Sequence, residues 1–474
     1  MSLIWLPQAD PGLSRDVLGG KAFGIARMLR LGLPVPPAFA LTTDECLRFH
    51  AAGRSLAADL LDSLAAGIGQ LEAATGRVLG DPERPLLVSV RSGAARSMPG
   101  MMDTILNLGM TAPVQARLAE LSGDQGYAAD TARRFTEQYA RVVGTPAPAD
   151  PIAQLHGAVA AVFDSWFGER AVAYRKHHGL SEDAGTAVTV QAMVFGNLDD
   201  SSGTGVLFSR NPLTGDPAPY GEWLPRGQGE DVVSGRFDAL PLTALADQHP
   251  ALHDQLLSLA VTLEREGRDV QDIEFTVESG RLYLLQTRAA KRSPDAAVRF
   301  AVMLHDEGLI GVDEALAMVS AEQLAALAKP HIEPAARLAA KRLAVGEPAC
   351  PGVGFGRVAI DCESAEDLAD EGHAVVLVRP TTDPDDVSGM VVSAAIVTEI
   401  GGATSHAAVV SRELGTPCVV GCGPGTVDAL MGRQVTVDGT TGEVFDGLLP
   451  LVAAGGQDIP ELARIAAWRA GGTA

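Results

Sequence analysis

His406 is the residue whose neighbours best suit covalent chemistry in this chain of 474 residues. It stands in Thr398-Glu-Ile-Gly-Gly-Ala-Thr-Ser-His406-Ala-Ala-Val-Val-Ser-Arg-Glu-Leu-Gly415-Thr-Pro-Cys-Val-Val-Gly421. A histidine in the first turn of a helix, behind a glycine loop, meets free amides and the positive end of the helix dipole. Both favour a phosphate and disfavour imidazolium, so the ring stays neutral and nucleophilic. That is the address of a phosphoryl carrier, although a lone histidine at a helix start more often only hydrogen-bonds a carbonyl. Three other stretches hold phosphate- or metal-binding residue types. Lys21 follows Gly19-Gly20 at a helix start and can reach a phosphate; the spacing is not that of a P-loop, and a solvated lysine fits it too. Arg91 ends an apolar run, Leu86-Leu-Val-Ser-Val, and its planar fork can take two phosphate oxygens. The loop after it, around Pro99-Gly100, can fold over phosphates and exclude water. In Asp269–Arg288, Asp272, Glu274 and Gln286 offer hard oxygen ligands of the kind Mg²⁺ shares with nucleotide phosphates, and Arg288 can neutralise charge on a transferred phosphoryl group.

These residues need particular elements to hold them. The β-branched run from Val391 to Ile400 reads as a buried strand ending at Gly401-Gly402. Helical spacing follows in Ala407, Val410 and Leu414, with Thr404 or Ser405 as cap and Gly415 with Pro417 as the stop. A short strand, Pro417 to Val420, closes the motif. Asp269–Arg288 reads as a hairpin. A three-residue turn, Glu278 to Gly280, puts Asp272, Glu274, Gln286 and Arg288 on one face and Ile273 and Phe275 on the other. An amphipathic hairpin with a solvated polar face fits the same alternation. Thr186–Phe195 and the run from Gly203 read as a second hairpin across a Gly/Asp/Ser loop, with an apolar strand near Met193 against which a base can lie; a plain core strand is an equal reading. Between them, residues 112–184 are mostly helical, and 294–348 are helical, alanine-rich and punctuated by proline.

The length suits two or three domains. No run approaches a membrane span, no signal peptide is expected, and a formal net charge of −22 argues against nucleic-acid or anionic-membrane partners. Five cysteines without framework spacing read as reduced thiols in a cytoplasmic protein.

Gly-Gly-Ala-Thr-Ser-His-Ala-Ala-Val-Val-Ser-Arg, with Gly-Thr-Pro-Cys-Val-Val-Gly after it, resembles the phosphohistidine signature of the PEP-utilising enzymes, which include the pyruvate phosphate dikinases. Arg-Ser-Gly-Ala-x-x-Ser-Met-Pro-Gly-Met-Met-Asp-Thr, Gln-Asp-Ile-Glu-Phe-Thr and Leu-Leu-Gln-Thr-Arg are similar to the nucleotide domain of the dikinases. The resemblance implies an α/β and α+β multidomain chain: an ATP-grasp nucleotide domain over 1–330 in two lobes, a linker over 331–349, a swivelling β/β/α phosphohistidine domain over 350–450 and a tail over 451–474. It implies His406 as carrier and Thr404 as its assistant. ATP would be held by Lys21, Arg91, Gly100, Met193, Asp272, Glu274, Gln286 and Arg288, with Mg²⁺ on Asp272, Glu274 and Gln286. AMP would form, with inorganic phosphate as a possible co-substrate. The dikinases continue into a PEP/pyruvate-binding barrel beyond the matched part, so the expected acceptor is pyruvate on a separate barrel protein or another small molecule. A regulatory nucleotide-binding subunit without turnover, a phosphotransferase to a non-pyruvate acceptor and a carrier phosphorylated by PEP are the alternatives.

Overall fold

The computed structural model describes residues 2–96, 103–177, 180–181, 184–232, 239–327, 331–452 and 460–471. The chain forms two compact units, Met1–Gly203 with Glu274–Arg288, and Thr204–Ile273 with Ala289–Ala474.

In the first unit five strands make one sheet: β1 (Leu3–Trp5), β2 (Ala38–Leu41), β3 (Val88–Gly93), β4 (Thr104–Leu108) and β5 (Ala187–Ala192), in the order β1-β2-β5-β3-β4. Every neighbouring pair is antiparallel. All residues of β2 and β5 are buried, which requires cover on both faces of the sheet. Helix α1 (Arg15–Arg30) kinks at Gly19, where φ is 70°. Helices α2 (Ala112–Ser122), α3 (Gln125–Val143) and α4 (Pro151–Ser165) begin at Thr111, Asp124 and Asp150, whose side chains accept the first-turn amides. Leu155, Val159, Val162 and Phe163 bury one face of α4, which packs on β3 and β4.

Strand β6 (Gly203–Phe208) does not pair with β5, so the expected hairpin is not formed. Strand β5 has β2 and β3 as its two neighbours, and β6 lies in a different sheet. Both strands are buried along their whole length; each is therefore interior to its own sheet rather than one arm of a ribbon. Beyond β6, β7 (Tyr220–Pro225) pairs antiparallel with β8 (Leu240–Pro241), and α5 (Pro250–Gly267) follows. Strands β9 (Gln271–Glu278) and β10 (Arg281–Ala289) are joined by Ser279-Gly280, with φ of 47° and 74°. The turn is thus two residues long, not three, because left-handed φ at both positions matches the twist of the flanking strands.

Helix α6 (Pro294–Asp306) contributes Val298, Phe300, Ala301 and Leu304 to a core in the second unit. The chain then passes β11 (His331–Ile332) and α7 (Pro334–Ala339) into an eight-stranded sheet. Its strands are β12 (Arg342–Val345), β13 (Glu347–Cys350), β14 (Val353–Ala359), β15 (Val375–Arg379), β16 (Ala395–Thr398), β17 (Cys418–Val420), β18 (Gln434–Asp438) and β19 (Glu443–Asp446). The order is β12-β19-β18-β14-β15-β16-β17-β13, parallel from β14 to β17 and antiparallel at both sides. Residues 342–350, expected in a linker, supply both edge strands. Helices α8 (Cys362–Asp370) and α9 (His406–Leu414) cover one face; their Ala365, Ala407, Ala408 and Val410 join Val375, Leu377 and Ile396 in one core. Val376, Val378, Val397, Val435 and Val437 form the core of the other face. Leaving the sheet, the chain forms β20 (Leu451–Val452), antiparallel to β11, and helix α10 (Pro460–Arg469), whose Ile465 and Trp468 enter the core around α6.

Candidate active site

The first unit gathers the phosphate-type residues from three distant stretches. At Gly19 a Cβ would fall 1.8 Å from the Gly93 carbonyl oxygen, and the Gly20 amide donates to the Ala94 carbonyl at 2.8 Å. Only glycine lets the start of α1 press on the end of β3, and this contact brings Lys21 beside Gly93, two residues beyond Arg91. Arg91 Nη2 lies 3.8 Å from Glu274 Oε2, a loose ion pair, and the Arg91 Nε is buried without a hydrogen-bond partner among the described residues. Gln286 Nε2 donates to Glu274 Oε1 at 3.2 Å, so these two side chains meet across the hairpin. Arg288 is half-buried at the end of the same strand segment. Met193 is buried just beyond β5, its amide donating to the Leu87 carbonyl at 2.9 Å. The next amide but one, Phe195, donates to Glu278 Oε2 at 2.7 Å; burial raises the pKa of this carboxyl, and no local motif had singled it out. Asp272 is buried on β9, two residues before Glu274. Gly100 lies outside the described residues.

The second unit holds His406 at the first position of α9. Ser405, one of the two residues expected to cap, is the cap: its Oγ accepts the Ala408 amide at 3.5 Å, and Gly415 ends the helix with φ of 68°. Thr382 Oγ1 lies 3.1 Å from His406 Nδ1, and His406 Nε2 is buried with no hydrogen-bond partner among the described residues. Burial lowers the ring's pKa, against the opposite pull of Asp383 and Asp386. A neutral imidazole with one nitrogen engaged and the other unengaged is a nucleophile of fixed orientation. Thr404 Oγ1 donates to Glu222 Oε2 on β7. Neither Thr382 nor Glu222 stands in a local motif that would single it out.

Among the described residues no group of three or more His, Cys, Asp or Glu converges as a metal cage. The Glu274 carboxylate, with the Gln286 side-chain amide beside it, instead fits an ion held by one or two protein ligands together with substrate phosphates. All five cysteines are free thiols. Among the described residues no helix is long and apolar enough to cross a membrane.

Residue types that suit phosphate thus meet in the first unit, and a buried histidine opens a capped helix in the second. Residues 54–255 match the family described as pyruvate phosphate dikinase, AMP/ATP-binding domain, and residues 372–442 match the PEP-utilising enzyme, mobile domain. The chain thus carries an ATP-grasp domain of the pyruvate phosphate dikinase type followed by a mobile domain of the PEP-utilising enzyme type. It is 40% identical to a pyruvate, phosphate dikinase of Rhizobium meliloti (strain 1021) over 92% of this chain and 56% of that protein. With the pyruvate, phosphate dikinase of Clostridium symbiosum the identity is 39%, over 94% of this chain and 58% of the relative. With pyruvate, phosphate dikinase 2 of Zea mays it is 41%, over 92% and 56%. The chain therefore spans a little over half the length of the curated relatives it matches.

Proposed function

We propose that this chain uses ATP to phosphorylate His406 and passes the phosphoryl group on, forming AMP in the manner of a dikinase. The observation that carries this reading is the state of His406: neutral through burial, Nδ1 engaged by Thr382, Nε2 unengaged, at the start of a capped helix. With the proton on Nδ1 donated to Thr382 Oγ1, the lone pair sits on Nε2 and can attack the β-phosphorus of ATP. The bond from that phosphorus to the α–β bridging oxygen breaks and AMP leaves. The β-phosphoryl stays on His406, and inorganic phosphate takes the γ group as pyrophosphate. Lys21 and Arg91 would bind and orient the phosphates, and Arg288 would balance charge as it develops. Glu274 and Gln286, with Asp272 on the same strand as Glu274, would hold Mg²⁺, which supplies charge neutralisation on the phosphates when bound. Met193 would lie against the base. Thr404 would assist transfer. Pyruvate on a separately encoded barrel protein, or another small molecule, would accept the group.

ATP labelled at either the β or the γ phosphate, with and without inorganic phosphate, tests the reading. Acid-labile, base-stable label from the β position should appear on wild type and be absent from His406→Ala. Label arriving only from the γ position would overturn the dikinase assignment, and no label at all would overturn the enzyme assignment.

A further inference from the structure

Glu222 is a buried carboxylate with 8% exposure, and no cationic side chain pairs with it among the described residues. Its hydrogen bonds come from Thr404 Oγ1 and from the backbone amides of Ala403 and Thr404, in the glycine loop that leads into α9. The fit is close: a Cβ at Gly402 would lie 2.2 Å from Glu222 Oε1, so a glycine is what admits the carboxylate. The neighbouring Glu347 is already occupied by the Tyr220 hydroxyl at 2.5 Å and adds negative charge rather than relieving it. Glu222 lies in the stretch matched by the AMP/ATP-binding family, Thr404 in the stretch matched by the mobile domain, and both belong to the second unit. One carboxylate thus joins the two matched segments through donors of the kind that bind phosphoryl oxygens.

We propose that Glu222 is the docking residue for the unphosphorylated mobile domain, and that a phosphoryl group on His406, two residues from Thr404, expels its carboxylate from the loop. Like charges crowded onto one set of donors repel, and the phosphoryl oxygens compete for the same amides. The mobile domain is then held while His406 is empty and let go when it is loaded. The release half rests on the reading of His406 as the phosphorylated residue; the docking half does not.

Hydrogen exchange read by mass spectrometry on the full chain tests both halves, using segments 218–226 and 399–410. In nucleotide-free protein, Glu222→Ala and Gly402→Ala should each raise exchange in both segments about tenfold or more, the scale set by losing a hydrogen bond to a charged group. Glu222→Gln should change them far less, because its amide oxygen still accepts. Segment 434–446, inside the eight-stranded sheet, reports whether the fold survives. For release, His406 is phosphorylated by Mg·ATP or chemically by phosphoramidate, in which Nε2 bonds to phosphorus and ammonia leaves. Occupancy is read by intact mass against a His406→Ala blank. Exchange in wild type should rise in step with occupancy, and less so in Glu222→Gln. Equal protection in wild type and both alanine variants, with 434–446 unchanged, overturns the docking role. Unchanged protection in protein carrying the modification overturns release. Absence of labelling by Mg·ATP alone overturns the proposed function and leaves both of these comparisons decisive.

Discussion

Desolvation, rather than the helix dipole alone, dominates the protonation of His406, and it acts against the attraction of Asp383 and Asp386. The folded ring binds its proton less tightly than the unfolded ring, so stability rises with pH up to the unfolded value of about 6.5 and falls on acidification below it. A proton NMR titration of the imidazole should show an inflection below 6.5, and one at or above 6.5 would contradict the burial argument. Glu222 has the opposite sign. Burial lifts its carboxyl from 4.5 to about 7, with Glu347 adding to the rise and the Thr404 and Ala403 donors opposing it. Its contribution to stability is therefore whole below about 4.5 and is lost as pH climbs through about 7. Melting of wild type relative to Glu222→Gln should weaken across that window, and a constant difference would contradict it. Thr382→Val should slow labelling of His406 by about tenfold or less, the value of one hydrogen bond, with Thr382→Ser restoring it. His406 and Thr404 were legible because their motif is continuous. Thr382 and Glu222 were not, because they lie 24 and 182 residues from His406 and Thr404, and local periodicity carries no information about partners on another element.

Caps were the most legible features among the elements: Ser405 and Gly415 lie where residue type supplies an acceptor or permits left-handed φ, whereas the turn at Ser279-Gly280 was read one residue too long. Strand pairing was less so. The run ending in Ala192 and the run from Gly203 are neighbours in sequence, yet each takes its partners elsewhere, since a strand buried on both faces can be completed from any direction. The contact of α1 with β3 was also hidden, although it places Lys21 near Arg91. Gly19→Ala tests it: a side chain there meets the Gly93 carbonyl and a left-handed φ together. The expected cost is about 1–3 kcal/mol in chemical denaturation, with weakened binding of a fluorescent ATP analogue. Unchanged affinity would show that the Lys21–Arg91 approach has no part in holding nucleotide.

At the scale of the molecule, both core clusters of the eight-stranded sheet draw only on residues between Leu343 and Val444. A fragment spanning 331–452 should therefore fold alone, with dispersed amide resonances and a cooperative melt. One spanning 351–450 lacks both edge strands and should melt lower or not fold; equal stability of the two would refute the role given to 342–350. Arg337 on α7 strengthens that boundary, pairing with Asp438 at 2.8 Å and with Glu443. The short ribbon of β11 and β20 means that the chain enters and leaves the eight-stranded domain along paired, antiparallel legs. A single leash would let its cargo twist freely about the cord, whereas a double strap resists torsion and steers travel along an arc. Any journey His406 makes is then repeatable in heading, with the ring presented in a similar attitude on each arrival.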